Sequence, residues 1–271
     1  MSDETTKVTI SPDVKAEPVE HKFPTEIITL PSKGFFYSED SPLSKGELEL
    51  KYMTAKEEDI LMSQSLIRKG VVLDKLLEAV IVDKDVNTDD LLLGDKNAIL
   101  VAMRIMAYGP NYNVIITCPS CGEKQEEEID LKDLPMKEVD YTELERGVNK
   151  FEFVLPRSER VVEWQLMTQG KDREIDEEIR SLKKFDKSDV TPSVSTRYRH
   201  IILSIDGNAS TGKIKQFVDN EFLTVDIRAL RAEMDKYIPD VDLSYQFDCE
   251  SCGAQEEVRV PMGPEFFWPA I

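Results

Sequence analysis

Residues 112–131 read YNVIITCPSCGEKQEEEIDL, and residues 243–262 read LSYQFDCESCGAQEEVRVPM. These two stretches hold all four cysteines of the chain, as Cys118 with Cys121 and Cys249 with Cys252, and each pair is followed by a glycine, Gly122 or Gly253. Apolar and polar residues alternate on both sides of each pair, the period of a strand with one face buried. Each unit therefore reads as strand, CxxCG, a turn bearing Gln-Glu-Glu, and strand. A CxxC turn presents two thiolates from one tight loop, and zinc takes four such ligands in a tetrahedron. The glycine allows the positive φ that lets the loop close under the sulfurs. Together the two knuckles are the halves of a zinc ribbon, with Cys118, Cys121, Cys249 and Cys252 as ligands of one structural Zn2+. Residues near 118 and near 252 are then expected to meet in space.

Cysteines in this pattern have three other uses. A redox-active dithiol wants a long helix directly after the CxxC, whereas EKQEEEIDL and AQEEVRVPM alternate like strands. A catalytic zinc keeps an open coordination position and commonly uses histidine. The only histidines are His21 and His200, and four cysteines would close the coordination sphere. Two disulfides remain the alternative. They are disfavoured because MSDETTKVTI lacks the basic and apolar regions of a secretion signal, which points to a reducing cytoplasm.

The chain of 271 residues carries 53 acidic against 34 basic residues, a formal charge of -19. Such a charge opposes nucleic-acid binding, which rests on neutralising phosphates, and opposes docking on an anionic membrane. No apolar run is long enough to span a bilayer.

Patterning along the chain divides it into four segments. Residues 1–24 are polar and proline-bearing and read as a disordered acidic arm. Residues 25–150 hold two strands (around EIITL and GELELKYM), three short helices and the first knuckle. Thr54 and Glu57 form a capping-box pattern before EEDILMSQSLIRKG. VVLDKLLEAVIVD and DKNAILVAMRIMAYG supply the other two helices. Residues 151–262 hold a hairpin in NKFEFVLPRSERVVEWQLMT, helices in GKDREIDEEIRSLKKF, SVSTRYRHIILSI, KQFVDNEFL and VDIRALRAEMDKY, and the second knuckle. Residues 263–271 form an aromatic tail. The expected fold is α+β: two helical lobes joined by small β-hairpins and a split CxxC/CxxC zinc ribbon, the metal pinning the second lobe onto the first.

Other motifs are weaker. Gly207–Lys213 matches the first seven positions of a phosphate-binding loop, but the hydroxyl residue that would hold magnesium is replaced by Ile214. A Gly-Asn-Ala-Ser turn joining two helices accounts for it. Asp83, Asp85 and Asn87 begin like a calcium loop, yet Thr88 and Gly94 stand where glycine and glutamate are wanted. No serine or cysteine nucleophile has a histidine partner, so nothing supports catalysis. Phe266, Phe267, Trp268 and Ile271 make a dense apolar cluster at the chain end, suited either to folding back or to plugging a partner's groove.

In order, LPSKGFFY (30–37), MTAKEEDIL (53–61), RIMAYG (104–109), Tyr112 and TCPSCG (117–122) resemble the baseplate proteins of T4-type phages, the hub-associated proteins of contractile tails. The likeness covers about residues 26–135 together with the aromatic-proline C-terminus. It implies a non-enzymatic virion-assembly protein, either a baseplate hub component or a chaperone for hub assembly. Its partners would be other tail and hub proteins, met in the host cytoplasm during assembly or in the virion. Two competing readings are a zinc-ribbon protein of nucleic acid or transcription and a nucleotide-dependent assembly enzyme using residues 207–213.

Overall fold

The computed structural model describes residues 23–185, 191–262 and 264–267. The acidic arm expected over residues 1–24 lies outside these except for its last two residues.

The first described element is an antiparallel pair, β1 (Thr25–Thr29) and β2 (Glu47–Lys51), in which Ile27 faces Glu49. The alternation of ELELK buries Leu48 and Leu50 and leaves Glu47 and Glu49 exposed. The LPSKGFFY segment between the strands is a tight turn. Gly34 sits at φ +70 with the Ser44 carbonyl where a Cβ would be, 2.3 Å away, so only glycine fits. The turn aims Ser32 and Tyr37 at one carboxylate. Asp95 accepts the Ser32 amide (2.9 Å), the Ser32 hydroxyl (2.6 Å) and the Tyr37 hydroxyl (2.5 Å), and all three residues are buried. Tyr37 Oη in turn accepts the Leu92 amide at 2.9 Å. Burial raises the Asp95 pKa against the pull of these donors. Phe36 and Tyr37 thus belong to the core, and Phe35 stacks on Tyr141 at 4.5 Å.

The first helical set is α1 (Ala55–Met62), α2 (Gln64–Lys69), α3 (Val72–Val80) and α4 (Leu93–Tyr108). The single helix expected through EEDILMSQSLIRKG is two, because Ser63 adopts an extended conformation (φ -69, ψ 101) that ends α1 and opens α2. The capping box is present: Thr54 and Glu57 exchange side-chain and backbone bonds, and Glu57 also meets Lys51 Nζ at 2.8 Å. Asp83 and Asn87 accept nearby amides, so the calcium-like stretch is a pair of local turns.

Hairpin β3 (Asn111–Thr117) and β4 (Lys124–Asp130) follows, then the connector to β5 (Phe151–Val154) and β6 (Val161–Trp164). The second helical set is α5 (Gln169–Phe185), α6 (Ser193–Ile201), α7 (Thr211–Asn220) and α8 (Thr224–Tyr237), leading to hairpin β8 (Ser244–Asp248) and β9 (Gln255–Arg259). The helix expected through SVSTRYRHIILSI stops at Ile201. Ile202–Ile205 becomes strand β7, which pairs with β6 and completes a three-stranded antiparallel sheet. A segment with isoleucine at both ends, beside a strand with an open edge, gains a ladder that a further helical turn would not. The turn at Gly207 therefore joins a strand to a helix, not two helices. Lys213 lies 3.8 Å from Glu221. The antiparallel setting of β7 is not that of a phosphate-binding loop.

One buried apolar cluster runs through both helical sets, from Leu30 to Phe267. The two sets also meet along a polar and main-chain seam. Leu93 N donates to Met167 O (3.1 Å), Gln169 N to Leu91 O (2.8 Å) and Asn97 Nδ2 to Asp240 Oδ1 (2.9 Å). At the centre of this seam Gly94 presses on the Pro239 carbonyl. The cysteines are thus not the sole link between the lobes.

Two outcomes follow. An alanine Cβ at position 94 would lie 1.7 Å from Pro239 O, so Gly94→Ala should destabilise the fold by about 1–3 kcal/mol or more, read as a lower urea midpoint. Burial pushes the Glu57 carboxyl up, but Lys51 and the Thr54 hydroxyl and amide pull harder and leave it at about 2. The folded-state value is depressed, so its contribution is present above the unfolded value and lost as pH falls from about 4.5 towards 2. Glu57→Gln should therefore be less stable than wild type at pH 7, with the gap closing across that window in urea melts.

Candidate metal centre

Each knuckle is built by its own hairpin. In the first, Thr117 faces Lys124 as the last pair of the ladder, the Cys118 amide donates to Glu123 O (2.8 Å), and the Gly122 amide returns to Cys118 O (2.9 Å). In the second, Asp248 faces Gln255, the Cys249 amide donates to Ala254 O (2.9 Å), and the Gly253 amide returns to Cys249 O (2.8 Å). Gly122 and Gly253 take φ of 78 and 71, where a side chain is strained. The two knuckles are copies in backbone geometry.

The hairpins bring all four sulfurs to one place. Cys118 Sγ lies 3.8 Å from Cys252 Sγ and Cys121 Sγ lies 3.7 Å from Cys249 Sγ, with every ligand atom within 4.8 Å of the others. A disulfide needs about 2.05 Å, so these are free thiols. A tetrahedral ion bonded to sulfur at about 2.3 Å sets the sulfurs about 3.8 Å apart along each edge. The observed spacing fits that geometry. Cys118 and Cys249 are buried while Cys121 and Cys252 face solvent, so the cluster sits at the margin of the core.

The electrostatics agree with a cation. Amides of Cys121 and Ser120 draw the Cys118 thiol down to about 7 despite its burial. At Cys121 the Glu123 amide pulls downward, but burial and the neighbouring sulfurs push the thiol up to about 12. Cys252 is likewise raised, with the Ala254 amide opposed by the Cys249 and Cys118 sulfurs. The Cys118 thiolate forms readily, whereas Cys121 and Cys252 resist ionising. A soft divalent ion removes that resistance by neutralising them together.

The Gln-Glu-Glu likeness of the two knuckles is out of register by one residue. The ladders make Lys124 the counterpart of Gln255, and Gln125 the counterpart of Glu256. Gln125, Glu256, Glu127 and Tyr245 all bond across the two hairpins, and the motif reading did not single them out. Counting four positions on from each second cysteine finds the first two.

The aromatic tail divides. Phe266 and Phe267 are each 1 % exposed, and Phe266 meets Tyr112 of β3 edge-on at 4.9 Å. Of the two uses open to the tail, these two rings fold back onto the chain itself. Trp268 and Ile271 lie outside the described residues. Among the described residues no helix is long and apolar enough to cross a membrane.

Two strand-end knuckles, one on either side of the second helical set, bring four sulfurs together within an α+β fold. Over residues 34–268 the chain matches the family model described as T4 bacteriophage base plate protein, and it belongs to that family. No curated protein and no solved structure matches it. The matched span contains both knuckles and both helical sets. The chain is therefore a phage baseplate protein.

Proposed function

We propose that the chain is a non-enzymatic component or assembly factor of the baseplate hub, working through contacts with other tail proteins and braced by one structural Zn2+ on Cys118, Cys121, Cys249 and Cys252. The observation that carries the reading is the family match across residues 34–268. Sulfur spacing at the tetrahedral edge length supports the metal, and an all-thiolate, four-coordinate set favours zinc and leaves no position for substrate.

Nucleic-acid binding is disfavoured by the surface of the knuckles. Glu126, Glu128, Glu250 and Glu257 are exposed around the cluster, where phosphate binding would want lysine and arginine. A formal charge of -19 also keeps an assembly subunit soluble before it docks. Within this reading Trp268 and Ile271 remain partner contacts, whereas Phe266 and Phe267 hold the tail to the first hairpin. Assembly would take place in the host cytoplasm.

Two measurements test it. Metal analysis of protein purified under reducing conditions should find one zinc per chain, and Cys249→Ser should lose the ion together with much of the thermal stability that chelation removes from wild type. Protein that carries no zinc and melts identically with and without chelator would sink the metal. Deletion of the coding sequence should leave tails without complete baseplates, and mass spectrometry of mature virions then separates a resident subunit from a transient chaperone. Complete, infectious baseplates made without the chain would end the baseplate proposal.

A further inference from the structure

Two hairpins far apart in sequence are joined beside the sulfurs by bonds that involve no sulfur. Gln125 Nε2 donates to the Asp248 carbonyl (3.1 Å), and Gln125 Oε1 accepts the Glu250 amide (2.9 Å). Asp248 and Glu250 are the residues on either side of Cys249, so one carboxamide brackets that ligand through its main chain. The bracket is itself braced: Gln125 Nε2 also donates to Glu127 Oε1 (2.5 Å), and Glu127 Oε2 accepts the Tyr245 hydroxyl from β8 (2.7 Å). From the other side, the Ser120 hydroxyl, between Cys118 and Cys121, donates to Glu256 (2.9 Å). Gln125 and Glu256 hold equivalent ladder positions, so each knuckle sends one side chain into the other.

The residue type matters. A carboxamide presents a donor and an acceptor in one plane, the same pair that a peptide group presents. It can therefore join a carbonyl and an amide of a second strand as a third strand would. A carboxylate accepts but cannot donate, and an alkyl side chain does neither.

We infer that Gln125 is a positioning residue of the metal centre, holding Cys249 opposite Cys121 so that the four thiols are gathered before an ion arrives. The inference rests on the zinc reading above. Four ligands from two separate hairpins lose less freedom on binding if the hairpins are already docked. Outer-shell groups that orient metal ligands cost about 10- to 100-fold in affinity when removed, and that range is the expectation here.

The test uses full-length protein, stripped of metal under reducing conditions and titrated with Co2+ and then with Zn2+ in competition. Wild type should take one Co2+ with the intense visible bands of a tetrahedral tetrathiolate. Gln125→Ala should keep that stoichiometry but bind about 10- to 100-fold more weakly, with altered band shape reporting a distorted tetrahedron. Gln125→Glu, which keeps the acceptor for the Glu250 amide but loses the donor to Asp248, should weaken binding as well and decides the matter should the alanine variant fail to fold. Glu126→Ala, an exposed neighbour on the other face of β4, should bind as wild type. Wild-type affinity and spectrum in both Gln125 variants would overturn the inference and leave the zinc site standing, as would a loss in Glu126→Ala equal to theirs. Wild type that takes no Co2+ or Zn2+ would overturn the zinc reading itself, and this shows without any variant.

Discussion

Four sulfur atoms from two hairpins lie within 4.8 Å of one another, and much of the architecture is arranged to permit that. Thiols this close oppose one another's ionisation, as the divergent shifts of Cys118 and Cys121 show. A soft divalent cation, if bound there, would neutralise the thiolates together. The cluster's position at the margin of the core, two cysteines buried and two exposed, places the cost of gathering the thiols where the hairpins are already packed. Tyr112, at the end of the first hairpin away from the cysteines, and Phe266 and Phe267 from the C-terminal turn pack the base of that hairpin.

The cysteine cluster is not the whole of the tie between the helical sets. The seam through Leu91–Leu93, Met167–Gln169 and Pro239–Asp240 is built from main-chain bonds and a glycine that admits a carbonyl. Such close backbone contacts make the relative placement of the two sets specific, because a shift of one residue would expose unpaired amides. The buried Asp95 adds to this on the N-terminal side, where it anchors the LPSKGFFY turn to the first turn of α4. Motifs that carried the family likeness thus have physical work in the fold: Ser32, Gly34 and Tyr37 around Asp95, and Thr54 with Glu57 at the start of α1.

A baseplate protein needs surfaces that meet other proteins and a frame that keeps those surfaces in place. The frame is visible here in the shared core, the seam and the cross-bonded hairpins. The formal charge of -19 discourages self-association, since like charges repel.

The strands, the helices and the CxxCG knuckles were legible in the residues themselves, because alternation, capping pattern and ligand spacing are local properties. So was the pairing of the two knuckles, since zinc's demand for four ligands leaves two cysteine pairs little choice. What was not legible depended on neighbours distant in the chain. Ile202–Ile205 is a strand only because β6 offers it an open edge, and Ser63 breaks a helix that its flanking residues would continue. The one-residue offset between the Gln-Glu-Glu turns is set by the ladders, so the crossing of Gln125 and Glu256 could not be seen in the motif. Phe266 and Phe267 suited either folding back or a partner's groove, and the contact with Tyr112 decides for folding back. By itself, the sequence determined which four cysteines come together and the element types, whose causes act over a few residues. Only the tertiary structure decided which side chains hold the two halves together, because those bonds join residues more than a hundred positions apart.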